Sequence, residues 1–65
     1  MKEASVVFWW ADNWREGVIE QNDIFDCGYC IIFKSEPCRV ALDYVTQWYY
    51  ENDPSNIFRG ERYQL

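Results

Sequence analysis

The 65-residue chain contains no histidine. That absence removes the commonest general base, the commonest zinc ligand and the usual switch for physiological pH. Basic residues are scarce: six Lys and Arg stand against eleven Asp and Glu, a net charge of −5 with a pI near 4.4. So acidic a chain does not suit a nucleic-acid backbone or an anionic membrane as partner. A basic protein surface suits it better, although acidic solubility is the plainer reading of the charge. Glycine (three) and proline (two) are few, and there is no phosphate-binding glycine loop, linker, repeat or low-complexity segment. The longest apolar run, 6–11, is far too short to span a bilayer. With no apolar leader after Met1, a soluble cytoplasmic protein is expected. Three cysteines, an odd number, fit a reducing compartment better than a disulfide framework.

Aromatic residues are abundant: four Trp, five Tyr and four Phe make up 20% of the chain. A single small domain buries only about 60% of its unfolded surface, and a dense aromatic core is one way to offset that. With 49% hydrophobic residues the composition is that of one globular domain, 1–65.

Residues 5–10, SVVFWW, are β-branched and aromatic and read as a strand. Ala11-Asp12-Asn13 reads as a turn and 14–21 as a second, antiparallel strand in which Gly17 could mark a bulge. A third strand is expected at 29–34. The segment 35–51, SEPCRVALDYVTQWYYE, places Pro37, Cys38, Ala41, Leu42, Tyr44, Val45, Trp48 and Tyr49 on one arc of a helical wheel. Ser35 or Glu36 would cap this helix, Pro37 fits its first turn, and the turn-formers of 52–56 would end it. Tyr50 falls on its polar arc. Residues 57–65 are either a fourth strand or a docked tail. The expected fold is therefore α+β: a small antiparallel sheet of three or four strands with one amphipathic helix across one face, in the order β-β-β-α(-β).

One helix covers one sheet face, yet 6–10 is apolar on both. Either Val7 and Trp9, or Phe8 and Trp10, should be left uncovered unless Ile24-Phe25 or the C-terminal segment folds over them. Exposed aromatics rimmed by charge mark interaction sites. Asp12, Glu16, Glu20, Asp23 and Asp26 concentrate acid along and after the hairpin. The residues expected to meet a partner are Val7, Trp9, Trp10, Trp14, Asp12, Glu16, Glu20 and Tyr50. The function expected is a non-enzymatic protein-binding module that inhibits or modulates a protein partner, with a homodimer on the same face as the alternative.

Cys27-Gly28-Tyr29-Cys30 is a C-x-x-C, but it runs into a strand, where no helix N-terminus would lower a thiol pKa. Cys27, Cys30 and Cys38 together give three potential zinc ligands with the fourth missing. A zinc-stapled or redox-active domain is the alternative these cysteines raise; three thiols packed in or near the core is the simpler reading, with no cofactor and no metal. The acid pairs Glu16/Glu20 and Asp23/Asp26 have no nucleophile or histidine beside them and read as a solvated acidic face.

Val6-Val7-Phe8 with the tryptophans that follow, together with an amphipathic segment late in the chain, resembles the layout of small phage-encoded inhibitors of host or toxin proteins, of the Dmd type. The resemblance implies a non-catalytic inhibitor and carries over no site residues.

Overall fold

The computed structural model describes residues 3–59. Six strands form one antiparallel sheet: β1 (Ala4–Trp10), β2 (Asn13–Gln21), β3 (Tyr29–Phe33), β4 (Arg39–Ala41), β5 (Gln47–Tyr50) and β6 (Phe58–Arg59). Their order across the sheet is β4-β3-β2-β1-β5-β6. A single 3-10 turn, Leu42–Tyr44, joins β4 to β5.

The amphipathic helix expected over 35–51 does not form, and the α+β assignment is corrected to a nearly all-β fold. Residues 34–38 make the loop between β3 and β4, and the remainder becomes a strand, the 3-10 turn and another strand. The apolar arc on the wheel was wide, so it separated helix from strand poorly. In fact Val40 and Leu42 are buried in alternation, then Val45, then Trp48. Val45-Thr46-Gln47-Trp48-Tyr49-Tyr50 is also a poor helix sequence and a good strand sequence. Pairing decides the outcome: β5 supplies the second neighbour of β1, with Val6↔Tyr50, Val7↔Tyr49 and Phe8↔Trp48. A helix there would have left one edge of the most apolar strand unpaired.

The hairpin turn is tighter than its sequence suggests. Ala11 and Asp12 both have positive φ (52° and 63°), the two-residue connection whose twist matches an antiparallel hairpin. Trp10 pairs with Asn13 across it, and Arg15 Nε donates to the Trp10 carbonyl at 2.7 Å. Of the expected strand or tail at 57–65, Phe58 and Arg59 form β6; residues 60–65 lie outside the described residues.

The sheet curls around its own inner face, and the molecule's extents of 28 × 27 × 23 Å are nearly equal. A flat sheet would be much thinner in one direction. Val6, Phe8, Ile19, Ile31, Phe33, Val40, Leu42, Val45 and Trp48 form one buried cluster. Gly17 lies at its centre on β2, between Val6 of β1 and Phe33 of β3. The missing side chain lets Phe8 and Phe33 meet edge to face at 5.0 Å across the intervening strand. Trp48 stacks on Phe58 at 4.4 Å and Tyr50 meets Trp48 edge-on, extending the core to β6.

A methyl group at Gly17 would lie 2.6 Å from the Ile32 carbonyl oxygen, 2.7 Å from Ile31 Cγ2 and 3.0 Å from Phe8 Cε1. Backbone cannot give way cheaply, so Gly17→Ala should lose roughly 2–3 kcal/mol in urea denaturation; an unchanged midpoint would contradict this packing. At the hairpin, Ala11→Asn keeps the left-handed conformation with less strain and should gain about 0.5–1 kcal/mol in the same assay.

Candidate protein-binding surface

Alternation along each strand divides the sheet into two faces. Trp10 belongs to the inner one: it meets Phe33 edge-on at 6.5 Å and is half-buried. Tyr50, expected to point outward from a helix, also turns inward against Trp48 and Phe58. Neither lies on the outer aromatic face.

Val7, Trp9 and Trp14 do lie on that face. Trp9 and Trp14 are direct cross-strand partners, with ring centroids 5.3 Å apart. Trp14 also reaches across β1 to Tyr49 of β5 at 5.5 Å. Val7 sits beneath, paired with Glu16 on one side and Tyr49 on the other. Trp14 is 39% exposed, and no other described element packs over the group. Tyr49 was missed because the helical wheel put it with Trp48. In a strand the two point to opposite faces, and the pairing of Gln47–Tyr50 with β1 is the signal that separates them.

The acids divide as well. Asp12 is exposed at the hairpin turn, and Glu16 is exposed beside Val7. Lys34 Nζ donates to Ser5 Oγ at 3.1 Å, so one cation also borders this face. Glu20 is on the same face but at the far end of β2, away from the aromatic cluster. Its carboxylate lies 3.8 Å from the Arg39 guanidinium and 3.7 Å from Cys30 Sγ. This pair joins β2 to β4 over β3, and Cys30 beneath it is fully buried. Burial first, and then the Glu20 carboxylate, push the Cys30 thiol above its ordinary pKa; Arg39 opposes them weakly.

Cys27, Cys30 and Cys38 are all free thiols in separate surroundings. Cys27 donates to the Tyr29 carbonyl at 3.1 Å from the loop before β3. Cys38 is exposed ahead of β4, its thiol also shifted upward, by desolvation and then by Glu36. Among the described residues no group of three Cys, Asp or Glu side chains converges as a metal site would require. Nor does the C-x-x-C open a helix; it leads into β3. Among the described residues no helix is long and apolar enough to cross a membrane.

A second feature lies on the opposite side. A cleft of about 620 Å³ runs beside β4, lined by Trp10, Phe25, Phe33, Val40, Tyr44 and the carboxylates Asp26 and Asp43, among others. Ile24 and Tyr44 at its border are 84% and 70% exposed. No family model, curated protein or solved structure matches the chain.

The thiol environments set an order of reactivity. In the native protein at pH 8, iodoacetamide should label Cys38 and leave Cys30 untouched, as read by peptide mass spectrometry. Glu20→Gln removes one of the two main causes that raise the Cys30 pKa and should speed its labelling at alkaline pH. The raised folded-state pKa contributes stability that is complete below the thiol's unfolded pKa and lost as pH rises through the folded one. Replacing Cys30 with Ala should therefore flatten the alkaline fall of the urea midpoint; an equally steep fall would assign that loss to other groups.

Proposed function

We propose that this chain is a non-catalytic protein-binding module that docks a protein partner on the outer face formed by Trp9, Trp14, Tyr49 and Val7. The carrying observation is the Trp9-Trp14-Tyr49 cluster, three touching aromatic rings with no described element above them. Rigid aromatics lose little conformational entropy on binding and dominate interface energies. Asp12 and Glu16 at the border, with the net charge of −5, favour a partner whose rim carries Lys or Arg. The sequence resemblance to small phage-encoded inhibitors supports an inhibitory or modulatory outcome of that docking. Its strand half remains in Val6-Val7-Phe8, whereas the late apolar segment is β4, the 3-10 turn and β5. Three free thiols suit a reducing, cytoplasmic setting.

The two faces of one strand make the proposal testable. Trp10→Ser removes part of the core and should cost about 2 kcal/mol or more of stability. Trp9→Ser and Trp14→Ser should each stay folded, changing stability in urea denaturation by less than about 1 kcal/mol. Both should lose a protein that the native chain captures from its source cells. Capture unaffected by either outer tryptophan would overturn the assignment. Light scattering over a range of concentrations separates the homodimer: self-association abolished by Trp14→Ser would make a second copy the occupant.

A further inference from the structure

The β4 edge offers a second mode of recognition, on a different surface from the outer aromatic face. Among the described residues β4 pairs with β3 alone and ends the sheet. Its register is Cys30↔Ala41, Ile31↔Val40 and Ile32↔Arg39. The Phe33 amide donates to the Cys38 carbonyl at 2.9 Å, one step further along the same register. Antiparallel ladders alternate, so Val40 turns its N–H and C=O toward β3, as Cys38 does its C=O, while the Cys38 N–H donates to the Glu36 carbonyl at 2.8 Å. The N–H and C=O of Arg39 and Ala41 consequently point away from the sheet. Such an edge is a template for another strand unless it is blocked. β4 is short, three residues, but it contains no proline or lysine, and its one charged side chain, Arg39, is held on the outer face by Glu20.

The cleft beside this edge indicates what the added strand would carry. Trp10, Phe25, Phe33 and Tyr44 provide aromatic walls, and Asp26 and Asp43 provide exposed negative charge; the one cation in the lining, Arg39, is paired with Glu20. A lysine or arginine suits both at once, its aliphatic stem against the rings and its charge toward the carboxylates. A second copy of this acidic chain suits the edge poorly, because it would bring the same aspartates together. We propose that the β4 edge binds an extended segment of a partner protein as a seventh strand, with Lys or Arg at alternate positions entering the cleft. Backbone pairing would supply register and the basic side chains would supply selectivity.

A capped seven-residue peptide of alternating lysine and threonine is the probe. Titrated into the 15N-labelled protein, it should bind saturably and slow hydrogen exchange of the Arg39 and Ala41 amides. The same peptide with alternate amides N-methylated keeps its charge but loses one pairing edge, and a glutamate-threonine peptide reverses the charge; neither should bind measurably. In the protein, Ala41 has φ −63° and ψ 140°, values that proline adopts without strain. Ala41→Pro therefore deletes one outward N–H in place and should weaken binding by about fivefold. Asp26→Asn with Asp43→Asn should weaken it by about threefold to tenfold. Trp14→Ser should leave it unchanged, which separates this surface from the outer aromatic face. No saturable binding, equal binding of the N-methylated peptide, or perturbations centred on Trp9 and Trp14 would overturn the proposal. The N-methylated comparison uses the native chain, so it stands even if Ala41→Pro fails to fold.

Discussion

The close approach at Gly17 is the constraint on which the rest of the structure depends. Among the described residues no second layer lies over the sheet, so the sheet encloses its own core. That requires side chains on β1 and β3, two strands apart, to meet above β2. Phe8 and Phe33 do so because the residue between them has no side chain. The same curl brings Val40, Leu42 and Val45 around one end of the cluster and Trp48 with Phe58 around the other.

Curling sorts the aromatics into two populations with different consequences. Those on the inner face, Phe8, Phe33, Trp48, Tyr50 and Phe58, are absorbed by the core. On the outer face, Trp9, Trp14 and Tyr49 contact one another, and no element of the described residues is laid over them. Burying apolar surface is worth about 25 cal/mol per Å², so a cluster of large rings left half-wet favours association. Among the described residues the sheet does not close, and its β4 edge leaves the backbone groups of Arg39 and Ala41 pointing away from β3.

Charge is distributed along with the rings. Glu20 and Arg39 neutralise each other across β3 and shield Cys30, and Arg15 lies 3.8 Å from Glu36 to tie the β3–β4 loop to the hairpin. Asp12 and Glu16 remain near the outer face, while Asp26 and Asp43 remain at the cleft. Both candidate surfaces are therefore aromatic and acid-edged, the shared basis on which basic partners are proposed for each.

Sequence alone determined the hairpin, the third strand, the double-faced apolar character of 6–10, and the aromatic and acidic character of whatever surface remained. Those properties reside in local composition and period-two alternation, and no distant residue can change them. It placed Val7, Trp9, Trp14, Asp12 and Glu16 together because all belong to one hairpin. It misplaced Trp10, Tyr50 and the whole of 35–51. The reason is that a wide apolar arc is compatible with either periodicity, and the choice belonged to β1, whose free edge needed a partner some forty residues away. Only the tertiary structure could turn Tyr49 outward beside Trp14, turn Tyr50 inward, and leave β4 as an open edge, because each depends on which strands lie next to one another.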